Sequence, residues 1–368
     1  MKRLILAGGG HAHLHVLQTL AKQQWPGVEV VLISPYGRQI YSGMLPGWMA
    51  GHYRLDQCAA ALKPLAEVAG VRFIQEHIVS MDANRRTVLC ASSGEISYDL
   101  ISIDTGALVD VSTLAASGAN LLPIRPLEAF IVGWERQLAD FLERGEARLA
   151  IVGAGAAGVE LALASRYRLV NLLGEARVAV SLVEGNGLLA GHGPGVVKRV
   201  AHELASSGVQ RIAGHAAGAP AGLLFPDGRG CAVDCVIGTT GVIPAPWIAS
   251  SGLARADDGF IAVENGQRST SHPEVFSAGD VATRIDSPHA KSGVYAVRAG
   301  PVLSNNLQRS LAGQVILSHH PQRRTLYLLA TGPRKAIVSW SGWSASGAWA
   351  WRWKDWIDRR FVKQYDIA

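Results

Sequence analysis

Three kinds of residue in this chain are spaced for chemistry: glycines that close apolar runs, acids that end the runs after them, and scattered histidines and cysteines. Gly8-Gly9-Gly10-His11-Ala12-His13 follows the apolar Leu4-Ile5-Leu6-Ala7 and precedes a helical pattern through Leu20. A cleaner copy stands 145 residues later, where Gly153, Gly155 and Gly158 lie between the strand-like RLAIV and a helix-like VELALAS. Glycines at such a turn let the backbone approach a pyrophosphate, and the next helix offers it free N–H groups and a positive dipole end. After the second loop the run RVAVSLVE ends at Glu184, an acid suited to both ribose hydroxyls of an adenosine. No cation follows Glu184 until Lys198 and Arg199, so a 2′-phosphate would meet uncompensated negative charge. NADH is therefore expected at this loop in preference to NADPH. The run after the first loop ends at Ser34-Pro35, where a hydroxyl offers a ribose only a weaker contact.

The histidines read differently. His11 and His15 stand four apart on a helix and could share a metal, but no third ligand is evident, and no metal is expected. His13 takes the place of the third loop glycine, which serves helix–strand packing rather than phosphate approach. It implies a slightly wider helix, with His11 as the histidine that touches a cofactor. Cys231 and Cys235 lie on one extended stretch, roughly 13 Å apart, too far for a disulfide. With Cys58 and Cys90 they read as buried thiols of a reducing cytoplasm.

Each loop sits in a strand–helix–strand order, and three further apolar runs belong to the same plan. Residues 98–107 end in Thr105-Gly106-Ala107, residues 236–241 end in Gly241, and residues 273–280 end in Gly279-Asp280. The expected fold class is α/β, with two Rossmann-like three-layer domains and a small C-terminal α+β region. Residues 1–110 and 250–312 are expected to form one domain and 120–246 the other, joined through Pro123–Pro126 and Ile243–Pro246. The remaining 313–368 should hold a hairpin (325–329 with 335–340) and a final helix.

A chain of 368 residues, 48% hydrophobic and 17% charged, is globular. Its net charge of +6 comes without a basic block or an RNA-binding aromatic pair, which argues against nucleic acid. No run of about 20 uncharged apolar residues occurs, so no transmembrane helix is expected. Six of the ten tryptophans fall between 340 and 356. On a helix Trp349, Trp353, Trp356, Ile357 and Phe361 share a face, with Arg352, Arg359 and Lys363 on a flank and Asp355 and Asp358 behind. That face suits a membrane surface through residues 346–365, the protein's own core, or a second copy in a homodimer. The expected location is the cytoplasm, with the cytoplasmic membrane face open.

The ordered set of two glycine loops, two strand-Thr-Gly runs and Val275-Phe276-Ser277-Ala278-Gly279-Asp280 resembles the pyridine nucleotide-disulfide oxidoreductase superfamily, over nearly the whole chain. The resemblance implies FAD on the first loop (Gly8, Gly10, His11, Ala12), on Ser34, Pro35, Thr105, Gly106, Ala107 and on Gly279-Asp280. It implies NADH on Gly153, Gly155, Gly158, Glu184 and Gly241. Where the disulfide reductases carry a cysteine pair beside the flavin, this chain reads Tyr41-Ser42-Gly43-Met44-Leu45-Pro46-Gly47. A dithiol relay is excluded, and Ser42, Gly43, Met44 and Leu45 are expected along the flavin ring.

Among cysteine-free branches the chain is similar to type II NADH:quinone oxidoreductases. Both glutamines of their quinone motif are replaced, by Val294 and Arg298. GGGHAH, YSGMLPG, KSGVYAVRAGPVL and WRWKDWIDRRF resemble most closely the flavoprotein found alone or fused to selenophosphate synthetase. The implied reaction takes hydride from NADH to flavin N5 and passes electrons to a small-molecule acceptor, a quinone first. A soluble reductase of a selenium or sulfur species or of a small redox protein, or a flavin redox sensor, are the alternatives. Lys291 is expected to stabilise charge on the reduced flavin, and Glu160 to lie near the nicotinamide.

Overall fold

The computed structural model describes residues 1–322 and 324–366. Residues 367–368, the last two of the expected C-terminal region, and residue 323 lie outside the described residues. Two five-stranded parallel sheets organise the chain. In the first, the order runs Val275–Ser277, Leu100–Ile103, Lys2–Ala7, Val28–Ile33 and Arg72–Ile74. In the second it runs Leu121–Pro123, Cys235–Gly238, Ala147–Val152, Val178–Glu184 and Val209–Ala213. The central strands read as unbroken apolar runs because both faces of each sheet are covered, one by helices and the other by an antiparallel meander. Each sheet carries a three-stranded antiparallel meander, at residues 78–97 and 217–232.

Six long helices matter below: α1 His11–Lys22, α2 Leu127–Arg144, α3 Ala156–Leu173, α4 Pro194–Ser206, α5 Gly293–Leu311 and α6 Ala348–Lys363. Helix α1 packs on α5, and the closeness is set by Gly300, where a Cβ would come within 2.8 Å of His15. Helices α1 and α3 each begin immediately after a loop glycine, Gly10 and Gly155. Gly8 and Gly153 hold φ of +93° and +113°, a region that disfavours any side chain.

The C-terminal region differs from the expected hairpin by one strand. Tyr327–Ala330, Ala336–Trp340 and Trp343–Gly347 form an antiparallel sheet. The added strand follows a two-residue turn, Ser341-Gly342, with both φ positive, as a tight hairpin requires. Its sequence, Trp-Ser-Ala-Ser-Gly, carries almost no strand propensity, so pairing rather than composition makes it a strand.

Helix α6 splits the apolar stripe read in its sequence, turning Phe361 inward and Trp349 and Trp356 outward. Ala350, Lys354, Asp358, Phe361 and Val362 are buried, whereas Trp349 and Trp356 are 44% and 58% exposed. The inward charges are tolerated because they satisfy one another and their surroundings. Lys354 Nζ donates to Asp358 Oδ2 at 2.8 Å and to the Gly43 carbonyl at 2.6 Å. Among the described residues no helix is long and apolar enough to cross a membrane.

Candidate functional site

The ends of the first sheet's strands open onto a cavity of about 380 Å³. Gly8, Gly10, His11, Ser34, Pro35, Ser42, Thr105, Gly106, Ala107 and Asp280 all line it. The first turn of α5 contributes Gly293 and Ala296. Gly8 is constrained on the protein side, since a Cβ there would stand 2.4 Å from the Asp104 carbonyl. Gly106, at φ +74°, meets no atom within 4 Å and faces open space.

Other expected residues lie elsewhere. Met44 and Leu45 are buried in the hydrophobic cores, and Gly43 packs beneath the Tyr41 ring while its carbonyl accepts from Lys354. None of the three lines the cavity, because the turn they begin coils into the short helix Leu45–Met49 and points its apolar side inward. Gly279 is pressed against Asp104, which a Cβ would approach to 2.5 Å.

Ala12 lies in the first turn of α1. Its N–H donates to Asp104 Oδ2 at 2.8 Å, and His13 N–H reaches the same oxygen at 3.2 Å, so helix amides expected to face a pyrophosphate are held by a carboxylate of the chain. Burial pushes the Asp104 carboxyl up to about 7; the two amides oppose the shift and Asp280 adds to it. Lys291 is likewise engaged by the chain itself. Its amine donates to Ala282 O at 2.5 Å and Thr283 Oγ1 at 2.6 Å and sits over the Phe260 ring, outside the cavity lining. Burial lowers it to about 8, against the pull of Asp258 and Asp280.

The cation that does face the cavity is Arg125, in the segment read as a linker. Its Nη2 lies 2.6 Å from Asp280 Oδ2. A second ion pair joins the rim, with Arg38 donating twice to Glu128 of α2 at 2.8 Å. His13, the departure from the glycine pattern, is fully buried: Nδ1 meets Gly8 O at 2.6 Å and Nε2 meets Ser102 Oγ at 2.8 Å. It ties loop, helix and two strands together. His11 is different: its buried Nε2 has no partner, while burial holds its pKa near 4, keeping the ring neutral. An orphaned buried nitrogen beside Arg125 and an open glycine backbone fits an anionic dinucleotide such as FAD. Ser34 donates to Tyr36 O at 3.2 Å, so no carboxylate stands ready for the ribose.

At the second loop, Gly158 is close-packed, since a Cβ would collide with the Gly153 carbonyl. Gly155 and Gly241 meet nothing within 4 Å and lie open. Glu184 is buried at its strand end. Contrary to the expectation of an unneutralised acid, it forms a two-point ion pair with Arg211, Nη2 to Oε2 at 2.9 Å. The partner was invisible to a scan along the chain because it comes from the neighbouring strand, where Arg211 pairs with Leu182.

Glu160, on α3, is half-buried and accepts the Ala330 N–H at 2.8 Å. Burial raises it to about 7, against the attraction of Lys354. Burial opposes the Lys354 charge too, but Asp358 and Glu160 outweigh it and hold the ammonium above its ordinary range. Tyr41, stacked 4.2 Å from Phe361, completes this cluster against Asp358. No signal along the chain marked Lys354, since a helix in isolation shows it on the polar side.

None of the four cysteines lines the cavity. Cys58 is buried, and burial pushes its thiol up to about 12. No group of three His, Cys, Asp or Glu side chains placed to hold a metal occurs among the described residues.

Comparison with known proteins agrees with this geometry. A family model described as pyridine nucleotide-disulphide oxidoreductase matches residues 2–300. An NADH oxidase of Lactococcus lactis subsp. cremoris is 27% identical, covering 83% of this chain and 70% of its own. The demethylphylloquinone reductase NdbB of Synechocystis is 23% identical, covering 94% and 88%. The fold is shared with NDH2 of Plasmodium falciparum, solved in complex with NADH, at a TM-score of 0.80 and 13% identity over 98% of both chains. FAD and NADH are the cofactors of this family plan. The chain thus belongs to the pyridine nucleotide-disulphide oxidoreductase family, as an NAD(P)H-dependent flavin oxidoreductase with no cysteine lining the cavity at its first glycine loop.

Proposed function

We propose that the protein oxidises NADH and delivers the electrons to a quinone at a membrane surface. When bound, FAD supplies the two-electron carrier between the two substrates. The observation that carries this reading is the cysteine-free cavity beside a C-terminal helix whose inner face reaches the flavin-side turn and whose outer face is aromatic and basic. With no thiol to hold electrons, the acceptor must meet the flavin directly. Helix α6 supports a path for it: Phe361 stacks on Tyr41 and Lys354 holds the Gly43 carbonyl, while Trp349, Trp356, Arg352, Arg360 and Lys363 face outward. Exposed tryptophans flanked by cations suit the interfacial layer of an anionic bilayer.

The chain's own groups divide the work. Gly153, Gly155 and Gly158 let α3 begin close to the pyrophosphate of NADH, and Glu184 accepts from its ribose. Arg125 and the first turn of α5 present positive charge to the FAD cavity. Glu160, raised to about 7 by burial, accepts the Ala330 N–H beside Lys354 and stands outside the cavity lining. A balanced turnover converts NADH, one proton and quinone to NAD⁺ and quinol.

Anaerobic titration of the purified yellow protein with NADH, followed by rapid mixing with acceptors, tests the reading. Acceleration by a soluble quinone and binding to anionic liposomes that is lost without residues 346–368 are expected. Turnover with a selenium or sulfur compound but with no quinone would replace this reading with the alternative that the resemblance to the selenophosphate-synthetase-linked flavoprotein suggests.

A further inference from the structure

The end of the strand Val178–Glu184 carries more positive charge than an NADH-selective site needs. Glu184 is the acid positioned for the adenosine ribose, and its carboxylate is engaged at both oxygens by Arg211. The guanidinium is not buried with it: its side chain is 41% exposed, against 8% for Glu184. Register explains the placement. Arg211 pairs with Leu182 on the adjacent parallel strand, so its side chain shares a face with Leu182 and Glu184 and leans along the strand toward the acid.

A second basic side chain meets the same spot. His215, in the turn that follows Val209–Ala213, lies against Gly185, so that a Cβ at 185 would approach its Nδ1 to 2.9 Å and its Cε1 to 3.0 Å. The turn is tied to the strand end by Gly214 N–H donating to Glu184 O at 3.3 Å. One carboxylate, one guanidinium and one imidazole therefore share the place where a ribose would present its 2′ position.

A lone acid there accepts a 2′-hydroxyl and repels a 2′-phosphate. A guanidinium reverses this: it is donor-only, carries more N–H groups than one carboxylate engages, and matches phosphate oxygens in pairs. We propose that this site takes the 2′-phosphate, so that the protein uses NADPH as well as NADH, with Arg211 as the specificity-determining residue and His215 as its supporting donor. Glu184 serves the unphosphorylated ribose and holds Arg211 at the rim until a phosphate draws it away. The inference rests on the second glycine loop being the pyridine nucleotide site.

The test uses the flavin-loaded protein and two small probes, adenosine 2′,5′-bisphosphate and AMP, whose binding is measured by calorimetry without turnover. Wild type should bind the bisphosphate at least as tightly as AMP. In Arg211→Met the bisphosphate-to-AMP affinity ratio should fall about tenfold or more, the effect of losing a charge-assisted hydrogen bond. Arg211→Lys should recover part of the ratio, and Glu184→Gln should raise it. The NADPH-to-NADH ratio of kcat/KM should move in the same directions. A wild type that prefers AMP tenfold or more, or an Arg211→Met ratio equal to the wild type's, overturns the inference alone. Failure of AMP and NADH to bind at all overturns the assignment of the loop, and the inference with it.

Discussion

Replacing Lys354 by methionine should unfasten the C-terminal helix from the Tyr41–Leu45 turn. The lysine side chain is 11% exposed and that of Asp358 6%, with 2.8 Å between the charged atoms. Methionine fills much the same volume but leaves Asp358, and Glu160 nearby, without their cation, and leaves the Gly43 carbonyl without its donor. Breaking a buried pair from one side costs about 3–5 kcal/mol, because the remaining charge stays in a poorly solvating interior. Removing both partners, as Lys354→Met with Asp358→Leu, should cost much less than the single change, since no orphaned charge remains on the helix. Urea unfolding followed by tryptophan emission measures the two costs, because six of the ten tryptophans lie between 340 and 356. Trypsin cleavage near Arg352, Arg359 and Arg360 reports release of the helix without global unfolding. A single-variant loss under about 1 kcal/mol, or a double variant equal to the sum of its singles, would refute the view that this pair is mutually dependent.

The remaining expectations concern the loops. Asp104 and Glu160 both have folded-state values raised to about 7, so the stability they contribute is complete in acid and is lost as pH rises through 7. The thermal midpoint should fall between pH 5 and pH 8, and Asp104→Asn should flatten that slope; an unchanged slope sinks the assignment. His13→Ala removes hydrogen bonds to Gly8 and Ser102 from a fully buried site and should lower unfolding stability by about 2–4 kcal/mol. Gly8→Ala places a Cβ 2.4 Å from a backbone oxygen at φ +93°, so the protein should purify without yellow colour; normal flavin content would contradict it.

Much of the plan was legible along the chain because its signals are local. A glycine loop, the strand before it and the helix after it are contiguous, and the need for positive φ at Gly8 and Gly153 is written in the residue type. The order of such units pointed to the family before any contact was known. Set against the cysteine pair that the resembling disulfide reductases carry there, the cysteine-free Tyr41–Leu45 turn likewise argued against a dithiol relay. What the turn does with its side chains was not legible: Met44 and Leu45 go to the core, because a short helix follows and rotates them inward.

The pairing of charges was decided by tertiary structure alone. Glu184 looked unneutralised until the adjacent strand brought Arg211 beside it, and Arg125 looked like linker until the chain's crossing between sheets carried it to Asp280. The Lys291 amine is engaged by carbonyl and hydroxyl oxygens that its place in the sequence did not show. The tryptophan stripe of helix α6 left membrane, core and second copy open as its partners, and folding turned Lys354, Asp358 and Phe361 inward with Trp349 and Trp356 outward. A sequence records which groups are charged and what lies beside them in the chain. Coulombic attraction and desolvation act through space, so the partner that makes a buried charge affordable is known only when distant segments meet.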